Sequence, residues 1–252
     1  MSLPCDVLGT GRPLILLHAG IADRTMWSEH LQPLAERGFR VVAMDMPGFG
    51  EAPVSSTEDA PWREVLATMD ALGIERAALV GNSFGGMVAQ RVAALEPERV
   101  EALVLISSGA SGIEPSQQLE DAWEAEESAL ADGDVEAAVQ AVVKAWTLPD
   151  ASQELRERIA VMQRRAFAQG EGQEDRPEGE DPLEDDLEAL SHLDAPALIL
   201  VGEHDMSDFQ LAADALTEAL PNARRVTMAG AGHLAPLEQP HEFRELLLSF
   251  LA

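Results

Sequence analysis

Short apolar runs recur along the chain at 14–17, 41–44, 77–80, Val100–Ile106 and 197–201, each ending at Gly, Asp, Ser or His. Runs of this length, with no polar alternation, suit strands buried on both faces. Between them, 25–37, 59–72, Phe84–Leu95 and 208–220 carry apolar residues at three- and four-residue intervals, often opened by Asp or Thr. Strands alternating with helices need right-handed crossovers, so the chain is predicted to form an α/β fold with a mostly parallel sheet covered by helices on both faces. A last strand at 224–228 and a last helix at 243–251 resume the pattern after an interruption. That interruption, 111–193, contains no strand signal and reads as helices at 119–130, 135–145 and 155–167. The expected organisation is therefore a core of 1–110 and 194–252 with an inserted helical cap over 111–193. Within the cap, 169–186 is rich in Gly, Pro and acidic residues and is predicted to be a mobile connector.

A chain of 252 residues can bury one substantial core. Hydrophobic residues make up 46% of it and charged residues 25%, which excludes disorder of the whole chain. There are 45 acidic residues against 17 basic ones, a formal net charge of -28, with Lys144 as the only lysine. Such a surface repels phosphate backbones, so nucleic acid is excluded as a partner and the expected partner is a small-molecule substrate. The acidity itself reads as a solubility device or an adaptation to salt. Cys5 is the only cysteine, so neither an intrachain disulfide nor a cysteine-based metal site can form. The N-terminus lacks a basic region followed by a long apolar core, and 14–17 is too short for a signal peptide or a membrane span. A cytoplasmic location without membrane association is the default expectation; oligomeric state is not legible.

Gly81-Asn82-Ser83-Phe84-Gly85 follows the apolar run 77–80 and opens the helical stretch Phe84–Leu95. The bare Gly-x-Ser-x-Gly pattern recurs by chance in roughly one chain in ten of this length, taking Gly and Ser at about 7% each. Its strand–turn–helix setting is what discriminates. A turn this tight forces the serine into a strained backbone and brings neighbouring chains close to the positions two before and two after it, where only very small residues fit. Ser83 is therefore the predicted nucleophile, with Gly86 loosening the turn further. Ser83 also occupies the position of the second glycine in a Gly-x-Gly-x-x-Gly dinucleotide loop, which argues against that alternative.

A serine hydroxyl needs a base, and the base needs a partner that fixes its tautomer. His233, in the loop Gly230-Ala231-Gly232-His233-Leu234 after the last strand, suits the role best. His30 and His241 fall on helical stretches, His192 precedes a strand, His18 ends one, and His204 adjoins a better acid. Asp205, just beyond the strand at 197–201, completes the chain order serine, acid, histidine; Glu203 is the rival acid. Asp208 reads as a helix cap, and Asp45 as the organiser of a tight turn. Oxyanion donors are expected from the backbone N–H of Phe84 and from the loop after 14–17, at Gly20 with Ile21 as the alternative.

Leu17-His18-Ala19-Gly20, Asp45-Met46-Pro47-Gly48-Phe49-Gly50, Gly81 to Gly86, Val201-Gly202-Glu203-His204-Asp205 and Gly230-Ala231-Gly232-His233-Leu234-Ala235-Pro236 occur in the order found in the α/β-hydrolase superfamily. In these motifs the chain resembles its small bacterial esterases, lactonases and cofactor-free haloperoxidase-like members. The resemblance implies a serine hydrolase that needs no metal or organic cofactor and cleaves an ester-like bond of a small, largely apolar substrate through an acyl-enzyme. The rival readings are a carbon–carbon bond hydrolase of β-diketone-like substrates and a small-molecule sensor that retains the triad without turnover. Two departures stand out: Ala19 replaces the usual glycine after the histidine, and residues 1–11 have room for one strand only, so the family's first edge strand should be missing. In the cap, Trp123, Trp146 and Phe167 could line an apolar pocket, although helical spacing makes most of them ordinary core; Arg164-Arg165 could recognise a carboxylate but reads rather as a solvated helix face.

Overall fold

The computed structural model describes residues 2–55, 60–170, 179–184 and 186–252. Seven strands, β1 (Cys5–Leu8), β2 (Arg12–Leu17), β3 (Phe39–Met44), β4 (Ala77–Asn82), β5 (Val100–Ile106), β6 (Ala197–Gly202) and β7 (Ala223–Met228), form one sheet. Their order is β1-β3-β2-β4-β5-β6-β7. Every pairing is parallel except that of β1 with β3. β1 is thus the single antiparallel edge strand for which residues 1–11 left room. Leu14, Ile15, Leu16 and Leu17 and the whole of β4 are buried, because helices cover both faces of the sheet.

The helices are α1 (Ser28–Glu36), α2 (Pro61–Ala71), α3 (Phe84–Leu95), α4 (Gln117–Ala131), α5 (Val135–Trp146), α6 (Gln153–Gly170), α7 (Ser207–Ala219), α8 (Ala235–Glu238) and α9 (Pro240–Leu251). α1 packs against α9, and α2 against α3. The helical stretch expected at 25–37 is split, since a 3₁₀ turn at Arg24–Trp27, capped by the Asp23 carboxylate, precedes α1.

Between β5 and β6 the chain leaves the sheet for α4, α5 and α6, which pack in sequence, and then returns beside β5 with Leu103 opposite Ala197. Ser116 and Asp134 cap α4 and α5 through their side chains. Of the segment expected to be mobile, 171–178 and 185 lie outside the described residues. Around them, Gln169 Nε2 donates to Gly50 O at 2.6 Å, Asp181 pairs with Arg91 at 2.7 Å, and Leu183 is buried. Among the described residues no helix is long and apolar enough to cross a membrane.

Strand order decides where a site can form. β2 is followed by β3 on one side, while β4 lies on its other side. The loops leaving the carboxyl ends of β2 and β4 therefore diverge, and a crevice opens at this switch point.

Candidate active site

Ser83 stands at that crevice. It has φ 52° and ψ −115°, a left-handed backbone conformation that costs a non-glycine residue roughly 1–3 kcal/mol. Serine is a preferred helix cap, yet its side chain makes no capping bond to α3, so its hydroxyl is left for other work. The strain is held from several directions. Ser83 N–H continues the β4–β5 ladder to Ile106 O (2.8 Å), and Gly85 N–H donates to His18 O (3.0 Å). A methyl group at Gly81 would run into the Gly85 carbonyl, and one at Gly85 into the Leu17 carbonyl. Gly86 does more than loosen the turn, because a Cβ there would lie 2.5 Å from Ser108 Oγ and 2.6 Å from its Cβ.

Asp205 and His233 meet because β6 and β7 run in register, with Gly202 opposite Met228, so that their loops start side by side. Glu203 N–H donates to Met228 O (3.0 Å) and His204 N–H to Ala231 O (2.9 Å). A Cβ on Gly202 would collide with Gly232 O, so this crossing needs glycine. His233 Nδ1 lies 3.1 and 3.2 Å from the two Asp205 oxygens, and both side chains are buried. This contact places the Nδ1 proton toward Asp205 and leaves Nε2 as the free ring nitrogen. Glu203 is turned away; its carboxylate takes the N–H of Gly230 at 2.9 Å and is exposed. Glu238 takes the N–H of Gly232 at 2.7 Å, and burial pushes its carboxyl above the usual range.

Three further residues adjoin this pair; the sequence marks Trp146 only as a cap aromatic and does not mark Asn82 or Phe209. The His233 ring is flanked by Trp146 and Phe209, with ring centroids 4.6 and 4.3 Å away. Asn82 Nδ2 donates at 3.1 Å to both His233 O and Ile106 O, tying the serine turn to the histidine loop. Asn82 occupies a variable position of the motif, so nothing in the pattern marks it.

The remaining histidines and acids take structural places. His18 Nδ1 donates to Ala19 O and Nε2 accepts from Met46 N–H, both at 2.9 Å; burial lowers its pKa and it bridges two loops as a neutral ring. Asp45 is buried and accepts from the N–H groups of Arg24 and Glu51 as well as pairing with the Arg24 guanidinium, as expected of a loop organiser. Asp208 does not cap its own helix. It accepts from Ser116 N–H (2.6 Å) and Oγ (2.7 Å), joining α7 to the start of α4.

A cavity of about 440 Å³ connects Ser83 and His233. Gly20, Ile21 and Phe84 border it beside the serine; Met87, Ile113, Leu119, Trp123, Trp146 and Phe209 make most of its wall. Trp146 is a buried core residue, as expected, that also borders the cavity, whereas the expectation of core burial fails for Trp123. Trp123, on α4, is 45% exposed and borders the cavity. Phe167 packs against the core as expected. Arg164 and Arg165 stay outside, paired with Glu136 and Asp23. Gly20 and Ile21 are the central residues of a turn closed by Ala22 N–H to Ala19 O (2.9 Å). A Cβ on Gly20 would sit 3.4 Å from Phe84 Cβ, so Gly20 lies against the residue that follows the serine. Phe84 is the first residue of α3, and its N–H has no acceptor within the helix.

Residues 14–246 match the model of the alpha/beta hydrolase family. The chain belongs to the α/β-hydrolase family. A curated relative from Pseudomonas savastanoi pv. phaseolicola, named "Putative carbamate hydrolase RutD", is 29% identical over 246 residues, covering 95% of this chain and 93% of that protein. The 2-hydroxy-6-oxo-6-phenylhexa-2,4-dienoate hydrolase of Comamonas testosteroni is 39% identical over 111 residues, 41% of this chain and 39% of that protein. Among solved structures, a thermophilic esterase from Thermogutta terrifontis superposes with a TM-score of 0.78 at 26% identity, covering 99% of this chain and 92% of that one. The α/β-hydrolase fold expected from the motifs is therefore the fold of this chain.

Proposed function

We propose that this α/β-hydrolase is a serine hydrolase that cleaves an ester or lactone of a small, uncharged, largely apolar substrate through an acyl-enzyme. The observation that carries the reading is the shared cavity: a strained serine and a histidine held by a buried carboxylate face one apolar space. Ser83 Oγ attacks the carbonyl carbon while His233 Nε2 takes its proton. Asp205 holds the ring in the tautomer that makes Nε2 the base and stabilises the imidazolium. The N–H groups of Phe84 and Gly20 receive the oxyanion, Gly20 being favoured over Ile21 by its place against Phe84. His233 then protonates the leaving oxygen, and a water activated by the same nitrogen releases the acid. In this reading α4 to α6 act as a cap that keeps bulk water from the acyl-enzyme and shapes the substrate. The same acyl chemistry extends to a carbamate, the compound class in the name of the Pseudomonas savastanoi relative.

The Comamonas testosteroni relative raises carbon–carbon hydrolysis as a second reading. Its named substrate is a dienoate, an anion, whereas no lysine or arginine is among the described residues bordering this cavity. A buried carboxylate without a cationic partner is costly, which favours the uncharged ester. Labelling with a fluorophosphonate probe and peptide mapping should place the label on Ser83, and Ser83→Ala should lower turnover of a p-nitrophenyl ester by a factor on the order of a million. Label on any other residue, or retained turnover, overturns the proposal.

A further inference from the structure

Among the described residues on the wall of the Ser83 cavity, Gln163 is the one whose side chain holds a buried polar atom without a partner. Gln163, on α6, borders the cavity and is 4% exposed, and its Oε1 has no hydrogen-bond partner. The residues around it fix it in place. Met162 Sδ accepts from Asp23 N–H at 3.4 Å, so this part of α6 is pinned to the loop that leads out of β2 past Gly20 and Ile21. Arg164 and Arg165 reach outward to ion pairs. Ile159, Ala160 and Met162 bury the inner side of the same helix. An apolar residue at 163 would complete that side, and an amide there is a departure from the pattern.

The cavity's other groups restrict what the amide can serve. Glu126 borders the same space, and burial together with Glu127 pushes its carboxyl above the usual range. Among the described bordering residues there is no lysine or arginine to pair with an anionic group. Asp208, the other acid on the wall, is occupied by Ser116.

We propose that Gln163 is a specificity-determining residue whose amide hydrogen-bonds an uncharged polar group, of hydroxyl or amide type, on the substrate chain away from the scissile carbonyl. This assignment rests on the reading of Ser83 as nucleophile only in naming the ligand an ester or lactone. A substrate lacking the group leaves the amide unpaired, and a neutral hydrogen bond of this kind shifts binding by about tenfold.

The test separates the two readings. Ser83→Ala protein is titrated with methyl esters of ω-hydroxy acids of three to six carbons and with the methyl alkanoates that carry a methyl in place of the hydroxyl, following the fluorescence of Trp123 and Trp146. At one chain length the hydroxy ester should bind at least as tightly as its alkanoate, despite the desolvated hydroxyl. Adding Gln163→Met, which keeps the length and unbranched shape, should move that ratio about tenfold toward the alkanoate and leave alkanoate binding unchanged. Tighter alkanoate binding at every length, or a ratio unmoved by Gln163→Met, overturns the assignment. Turnover of both series by the protein with Ser83 intact is read separately. Hydroxyl preference without turnover removes the nucleophile and upholds Gln163, and turnover without preference does the reverse.

Discussion

Acidification should weaken this protein partly through His30, a residue that takes no part in the proposed chemistry. Its ring is fully buried between Trp27 and Phe243, with Nε2 donating to Pro236 O at 3.0 Å and Nδ1 3.5 Å from an Arg244 nitrogen. Burial lowers its pKa from 6.5 to about 4, against the Pro236 bond, which favours the proton, and with Arg244, which opposes it. A histidine depressed in the folded state binds its proton more readily when unfolded, so stability is full above pH 6.5 and is lost as pH falls toward 4. Lowering the pKa from 6.5 to about 4 corresponds to about 3 kcal/mol in total, of which about 2 kcal/mol is gone by pH 5. With a urea dependence of about 2–3 kcal/mol per molar, the midpoint contribution at pH 5 is on the order of 1 M. The many carboxylates complicate the raw curve, since their neutralisation relieves self-repulsion and acts in the opposite direction. Comparison with His30→Gln isolates the residue, because glutamine can still donate to Pro236 O but takes no proton. Urea midpoints of the two proteins should differ at pH 7 by a constant packing cost, and that difference should shift by about 1 M in favour of the variant at pH 5. Parallel pH curves for the two proteins would refute the reasoning.

Two further outcomes follow from the site. Asp205→Asn should lower kcat on an ester by a factor on the order of 10⁴ by holding His233 in the wrong tautomer, whereas Glu203→Gln should stay within a few fold; a large loss in Glu203→Gln would transfer the acid's role. Gly86→Ala should destabilise the fold by about 1–3 kcal/mol through overpacking against Ser108, and Ser108→Gly should recover part of that loss in the double variant. Strict additivity in a thermal-unfolding cycle would show that the two residues do not collide.

Much of the fold was legible because a parallel sheet covered on both faces writes itself as uninterrupted apolar runs. Val100–Ile106 and Phe84–Leu95 fall where the pattern put them, and the other strands differ from their expected bounds by a residue or two. The site's skeleton was legible for a related reason. Ser83 must stand between a strand and a helix, and Asp205 and His233 must leave the ends of successive strands, so local sequence marks all three positions. Asn82, Phe209 and the contact of Trp146 with the histidine escaped, since these depend on packing against His233 across 151, 24 and 87 residues of chain. Gly86 was read as a source of slack, because Ser108 is 22 residues further on and its approach belongs to the packing of α3 on the end of β5.

The sequence by itself determined the layered fold, the strained serine and the order of the residues that follow it, because these rest on strand periodicity, helix spacing and the steric demands of a tight turn. Tertiary structure alone decided that Glu203 turns away while Asp205 meets His233, that His18 and His30 are buried and neutral, and that Trp146 covers the histidine. It also decided the facing of α6. Gln163, Arg164 and Arg165 are three consecutive polar residues, and only the rotation of the helix against the β2 loop sets the first at the cavity wall and the other two in ion pairs. Helical spacing fixes which residues share a face, but which face meets the site is set by the packing of one element on another.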